Sequence, residues 1–196
     1  MIEHNQIWGA TKIDADEAQG LIPIHISTQA ELNIWEQSNI LSAENWLARQ
    51  KLDTAKLLTS VFLQKLHRLM FNQTWRWAGQ YRKTDKNIGV DWSTIAVELK
   101  LLFDDLLFQI SAQSYSLDEI ATRFHHRLVW VHPFVNGNGR HARLMTDQLL
   151  ITRNAPRFSW GATQLYQQSF VRQRYINALR SADKKDYSDL LVFVRS

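Results

Sequence analysis

The stretch His132-Pro-Phe-Val-Asn-Gly-Asn-Gly-Arg-His-Ala-Arg143 carries the densest chemistry in the chain. Gly137, Asn138 and Gly139 are residue types that accept positive backbone dihedrals, which lets successive N–H groups turn toward one point. A helical period begins at the same place. The free amides of a first turn and the positive end of a helix dipole therefore face the turn together. Arg140 and Arg143 lie one turn apart on that helix and add two guanidinium forks to one face. Such a composition predicts a polyphosphate site, and not a Walker loop, because no G-x-x-x-x-G-K-[ST] occurs. His132 ends the preceding helix a few residues away, and an imidazole beside a bound phosphate is the usual group for taking a proton from an incoming hydroxyl. A glycine-rich turn alone, or a histidine before proline alone, would read as ordinary turn and packing. Their concurrence in one short stretch is what points to chemistry.

Outward from this stretch, most segments carry a helical period. On the C-terminal side a helix is expected from about 139 to 153, with Pro156 beyond its end, followed by helices at about 162–182 and 186–194. On the N-terminal side Ser116-Leu-Asp-Glu119 reads as a capping box opening a helix to about Val131, and another is expected from about Ser93 to Ser111. Leu57, Leu58, Val61, Phe62, Leu66 and Leu69 mark the inner face of one helix from about Thr54 to Phe71. Leu32, Trp35, Ile40, Ala43, Trp46 and Leu47 mark another between Thr28 and about Gln50. Residues 1–26 read as an irregular arm. Between Trp75 and Trp92 the pattern changes: Gly79, Gly89 and the polar run Lys83-Thr-Asp-Lys-Asn87 flank the β-capable Tyr81, Ile88 and Val90, which predicts a short hairpin or flap. The expected fold is mainly α, a helical bundle with one β-hairpin flap. The division is an N-terminal arm and helix over 1–53 and a core over 54–196.

A chain of 196 residues that is 45% hydrophobic and 21% charged can bury an ordinary core, and without cysteine it has no disulfide, thiolate metal site or thiol nucleophile. No basic region followed by an apolar run opens the sequence and no long uncharged apolar stretch follows, so neither a signal peptide nor a membrane span is expected, and a cytoplasmic location is. A net charge of +4 permits an anionic ligand but is explained equally well by solvated lysines and arginines. His125 and His126 read as packing or capping residues. His141 could face solvent or a ligand, and no H-E-x-x-H or comparable metal spacing occurs.

The central stretch resembles the signature of the Fic family, HPF-x-[D/E]-GNGR-x-x-R, matching it at His132, Pro133, Phe134, Gly137, Asn138, Gly139, Arg140 and Arg143. Trp75-Arg-Trp-Ala-Gly-Gln-Tyr-Arg82 and Lys86-Asn-Ile-Gly-Val90 resemble the family's flap region. Gly20-Leu-Ile-Pro23 and Glu31-Leu-Asn33 through Trp35-Glu-Gln37 further resemble a bacterial subgroup called mobile mystery protein B. The resemblance implies transfer of AMP from ATP, with Mg²⁺ or Mn²⁺, to a Ser, Thr or Tyr hydroxyl of a target protein. His132 would deprotonate the hydroxyl. Phe134, Gly137, Asn138, Gly139, Arg140 and Arg143 would bind the nucleotide, Arg140 steadying the leaving phosphates and Arg143 reaching the γ-phosphate. Gly139 favours AMP transfer, because the family's phosphate-transferring branch carries Lys there. Lys86, Asn87, Ile88 and Gly89 would bind an extended target segment by β-augmentation.

Two positions depart from the family pattern. Asn136 stands where the family's carboxylate holds Mg²⁺, a hard ion that prefers charged oxygen ligands, so metal binding and activity are expected to be reduced. Many Fic proteins silence themselves with the glutamate of [S/T]-x-x-x-E-[G/N], which pairs with the second motif arginine. Ser27-Thr-Gln-Ala-Glu31 matches that pattern except for Leu32 at its end. Thr28 and Glu31 also make a capping box that would explain the glutamate by itself, and Glu36 is a second candidate brake. A catalytically weakened, nucleotide-binding protein of the regulatory or the toxin–antitoxin type stays open beside the enzyme, as do self-modification and a homo-oligomer. Nucleic-acid binding, prompted by a pI near 9.4, is disfavoured because no recognised motif for it appears.

Overall fold

The computed structural model describes residues 18–162 and 168–196, so the arm reading for residues 1–17 and part of the helix expected from 162 lie outside the described residues. The described helices are α1 (Gln29–Leu47), α2 (Thr54–Leu57), α3 (Ser60–Phe71), α4 (Ile95–Ser111), α5 (Leu117–Val131), α6 (Asn138–Thr152), α7 (Gln168–Asp183) and α8 (Ser188–Val194), with a 3-10 turn at Trp92–Thr94. The chain is mainly α. Several starts follow from side-chain chemistry: Thr28, Asp53, Thr59 and Ser116 each accept from the amide three residues ahead, satisfying a donor that a first turn leaves unpaired.

Residues 54–71, read from periodicity as one helix, form two. Thr59 Oγ1 accepts from the Phe62 amide at 3.1 Å and caps a new helix, while Leu58 leaves the helical region with ψ 56°. The break re-aims the second helix. Val61, expected on the inner face, is 77% exposed, whereas Leu63, Leu66 and Met70 are fully buried.

The centre of the bundle is α6, which packs against α5, α3 and α2. Beyond its first turns every position through Leu150 is buried; Gly139, Arg140 and Arg143 alone among residues 138–150 reach the surface. Its interior polar groups are paired, as burial requires: His141 Nε2 donates to the Leu63 carbonyl at 3.0 Å and Thr146 Oγ1 to the Ala142 carbonyl at 2.8 Å. Asp147 accepts from the Trp160 indole at 3.1 Å and the Phe158 amide at 3.3 Å. Helix α1 lies along α3, where Asn39 Oδ1 accepts from the Gln73 amide at 3.1 Å. The segment before α1 joins the same region: the Ile22 amide donates to the Thr74 carbonyl and the Arg76 amide to the Gly20 carbonyl, both at 2.9 Å.

The hairpin expected between Trp75 and Trp92 is absent. Among the described residues only isolated bridges occur, Leu21 with Trp75 and Tyr81 with Phe134. The reason is a buried guanidinium inside the loop. Arg82 takes the Thr84 and Val90 carbonyls of both arms, groups that a ladder would have paired with amides across the hairpin. No helix among the described residues is long and apolar enough to cross a membrane.

Candidate active site

The turn between α5 and α6 is closed by its own side chains. Asn138 Oδ1 accepts from the Phe134 amide at 2.9 Å, and its Nδ2 donates to the Phe134 carbonyl at 2.8 Å. Asn138, expected to serve a ligand, thus has a side chain that builds the turn. Gly137 stands at φ 77° as the N-cap of α6, and a Cβ there would lie 2.5 Å from the Phe71 ring. Both conformation and space demand glycine. The Phe134 ring is fully buried and stacks on His67 at 3.7 Å between centroids, so it too supports the turn from below.

His67 was not singled out by sequence reading, yet it ties two parts of the site together. Its Nδ1 accepts from the Gly79 amide at 2.9 Å, so the ring proton sits on Nε2 and donates to the Asn136 carbonyl at 3.0 Å. Burial, then the nearby His141 ring, hold its pKa well below the ordinary histidine value. The ring is therefore a neutral bridge between the loop after α3 and the turn.

His132 closes α5 in the left-handed region at φ 53°, ψ 59° and is only 4% exposed. Its Nδ1 lies 3.3 Å from the Val129 carbonyl. A carbonyl only accepts, so the neutral ring carries its proton on Nδ1 and its lone pair on Nε2. Burial lowers the pKa to about 4, with the charges of Arg82 and Lys86 adding to the shift and the Val129 bond opposing it. At neutral pH the ring is a proton acceptor.

Arg140 and Arg143 reach the surface beside the turn, and each has a partner. Arg140 Nη1 meets Glu36 Oε2 at 2.7 Å, and the guanidinium lies over Phe71, 4.9 Å from its centroid. Glu36 comes from α1, is 4% exposed, and also accepts from the Trp75 indole at 2.7 Å. Arg143 sits 5.7 Å from the Tyr175 ring centroid. The Tyr175 hydroxyl lies 2.9 Å from His125 Nε2 and 3.8 Å from where a Cβ at Gly139 would stand. Burial, then Arg143 and Arg140, lower the pKa of Arg172 on α7. This third guanidinium beside the motif pair had no signal in sequence, since it lies far along the chain from them.

Two expected roles are corrected by the geometry. Glu31 does not reach the motif arginines. Its Oε2 accepts from the Ser27 and Thr28 amides at 2.9 Å, which with the Thr28 cap lowers its pKa to about 2. The capping-box explanation accounts for it. Asn136 Oδ1, the atom expected to face a metal, accepts from the Gly137 amide at 2.5 Å, which also withdraws that amide from the expected phosphate cradle. No group of three or more His, Asp or Glu gathers among the described residues. An amide oxygen already paired and carrying no charge does not fit a resident divalent cation.

Residues 57–150 match the family model described as Fic/DOC. The chain carries a Fic domain. Proteins named protein adenylyltransferase Fic are similar to it: that of Drosophila grimshawi is 29% identical over 119 residues, 59% of this chain and 23% of that protein. The Nematostella vectensis protein is 32% identical over 82 residues, 40% of this chain and 19% of that protein. The matches thus span about a quarter or less of these relatives' length. Among solved structures, the BepC protein of Bartonella tribocorum with bound AMPPNP superposes with a TM-score of 0.69 at 17% identity, covering 93% of this chain and 97% of that one. Fic-1 (residues 134–508) of C. elegans gives 0.66 at 22% identity, covering 90% and 50%. These likenesses confirm the fold.

The flap of this Fic domain is a loop pressed against the turn between α5 and α6. Asn87, Ile88 and Gly89 are exposed along its rim, with Lys86 half-buried. A Cβ on Gly89 would lie 2.7 Å from His132 Cβ and 2.9 Å from Arg82 Nη2, so backbone alone fits between the flap and His132. His126, read as a packing or capping residue, lies with Nε2 2.9 Å from Asp183 Oδ1; His141, which the sequence left open between solvent and a ligand, is buried.

Proposed function

We propose that this protein transfers AMP from ATP to a Ser, Thr or Tyr hydroxyl of a target protein. The observation that carries the reading is His132. Its ring is held neutral with the lone pair on Nε2, and it ends the helix whose closed turn starts α6, where Arg140 and Arg143 come to the surface. In the reaction the Nε2 lone pair takes the hydroxyl proton as that oxygen bonds to the α-phosphorus. The bond from the phosphorus to its α,β-bridging oxygen breaks, and pyrophosphate leaves with the electron pair. A base of pKa about 4 is weak, so the rate depends mainly on alignment and on stabilising charge at the phosphates. Arg140, Arg143 and the amides that open α6 supply that charge; a divalent ion would have to come in with the nucleotide. Gly139, the named adenylyltransferase relatives and the AMPPNP bound to BepC all favour ATP and AMP transfer. The exposed rim at 87–89 is the place for an extended target segment to pair.

Residues 1–53 act in this reading as a regulatory arm, through Glu36. Its buried carboxylate holds the Arg140 guanidinium that the leaving phosphates need. Glu36→Gln keeps the acceptor for Trp75 but removes the charge, and should raise the transfer rate; an unchanged rate would sink this brake. The same ion pair, with the amide-bound Asn136, favours a second reading, a nucleotide-binding regulator of weak activity. Intact-mass analysis after incubation with each nucleoside triphosphate and Mg²⁺ or Mn²⁺, wild type against His132→Ala, decides between them. An AMP adduct on the wild type alone supports the enzyme. ATP binding without any adduct supports the regulator.

A further inference from the structure

Arg82 is the largest fully buried side chain among the described residues, at 1% exposure, and every bond it makes inside the protein goes to the flap or to the residues around the base. Its Nε donates to the His132 carbonyl at 2.8 Å, Nη1 to the Thr84 carbonyl at 3.0 Å and Nη2 to the Val90 carbonyl. Its backbone amide donates to the Pro133 carbonyl at 3.0 Å. Asp85, itself exposed, pairs with it at 3.5 Å, and the Asp91 carboxylate also acts on its charge. Removing a guanidinium from water is costly. Five donors in a rigid fork offset that cost only when carbonyls lie in fixed directions around it. Here those carbonyls come from both arms of the flap and from the C-terminal end of α5, where the helix dipole also favours a cation.

We propose that Arg82 is a positioning residue for the transfer, locking the flap rim and His132 into one rigid unit so that an incoming hydroxyl and its base meet in register. The proposal rests on the transfer reading above for its consequence, though not for its geometry. Gly89 fits against His132 Cβ only as backbone, and the guanidinium fixes the chain on both sides of that contact through Thr84 and Val90. A flap released from Arg82 would move relative to the ring. A misplacement of about 1 Å at a reacting centre costs about a hundredfold in rate. The arrangement also sets the charge around the base. Arg82 and Lys86, both from the flap, are the cations facing His132, while the Val129 carbonyl faces it from its own helix. A merely structural staple would hold the fold without acting on the ring's proton affinity or on the chemical step.

Two variants of the full chain separate these roles. Arg82→Met removes charge and fork; Arg82→Lys keeps the charge but cannot reach all three carbonyls. The His132 ring titration is followed by NMR in sucrose, an osmolyte that keeps the chain folded on acidification, and is assigned through its loss in His132→Ala. Pyrophosphate release from Mg-ATP is measured with the protein itself as acceptor, alongside the dissociation constant for ATP. The ring pKa should rise in Arg82→Met and stay near wild type in Arg82→Lys. Pyrophosphate release should fall about a hundredfold in both, with ATP affinity changed by no more than about threefold. A wild-type titration in Arg82→Met, or wild-type release in Arg82→Lys, overturns the proposal. If Arg82→Met does not fold, Arg82→Lys judges it by release. If the wild type releases no pyrophosphate, the transfer reading fails, and the His132 titration still judges the Arg82 contact.

Discussion

Lowering the pH from 7 to 5 should remove several kcal/mol of stability, and three buried histidines set the size of the effect. Burial lowers the pKa of His125 and His141 to about 3 and that of His132 to about 4. In the unfolded chain each returns to about 6.5. Between pH 7 and 5 the unfolded state therefore takes up protons that the folded state refuses. Stability rises with pH wherever the unfolded state binds more protons, so these groups cost stability as pH falls from about 6.5 toward their folded values. Each contributes a loss of roughly 2 kcal/mol over this interval, about 6 kcal/mol together. His67, also lowered by burial, adds in the same direction. Asp147 opposes them. Burial raises its pKa to about 6, so the folded state binds its proton first and returns about 1 kcal/mol on acidification. The net loss, about 5 kcal/mol, is comparable to the whole stability of many domains. Urea unfolding followed by tryptophan fluorescence at pH 7, 6 and 5, without nucleotide, measures it. Free energies at pH 7 and 5 within about 1 kcal/mol of each other would refute the reasoning, because the imidazoles would then have to be charged and solvated in the folded state.

Other substitutions probe the turn and its supports. Gly137→Ala should cost about 3 kcal/mol in urea unfolding, from the strain of a positive φ together with the clash on Phe71. His67→Leu should cost about 2–4 kcal/mol by leaving the Gly79 amide and the Asn136 carbonyl unpaired. Glu31→Gly should lower the melting temperature slightly and leave self-modification unchanged, since the carboxylate serves only the start of α1; a higher rate would restore Glu31 as the brake. Asn136→Asp should raise Mg²⁺-dependent transfer, and an unchanged rate beside an inactive His132→Ala would show that position 136 is no compromised metal ligand.

Much of this protein is written locally. Residues Ser116 to Val131 become a helix because a cap at one end and an apolar period along one face specify it without reference to the rest of the chain; the helix from Gln29 to Leu47 has the Thr28 cap, but its buried face mixes Leu32, Ala43 and Leu47 with the polar Glu36 and Asn39. The turn at 132–143 is legible for the same reason: glycine at 137 answers a backbone demand within the stretch, and Asn138 closes the turn on Phe134 four residues away. Periodicity failed at residues 54–71, where the Thr59 cap breaks an apolar run that reads as continuous. It failed again at the flap, whose composition suits a hairpin but whose carbonyls turn to a buried guanidinium.

What local rules cannot supply is the pairing of groups far apart in sequence. Glu36 and Glu31 lie on the same helix with the same chemistry, yet Glu36 reaches Arg140 while Glu31 caps its own first turn. That choice depends on how α1 packs along α3. His67, Arg82 and Arg172 likewise gain their places at the site from the docking of their segments around α6. The sequence alone determined that a basic helix start would follow a histidine across a tight turn, because that relation lies within a dozen residues. Tertiary packing decided which distant charges and rings surround that turn, because burial and pairing energies exist only once the helices have met.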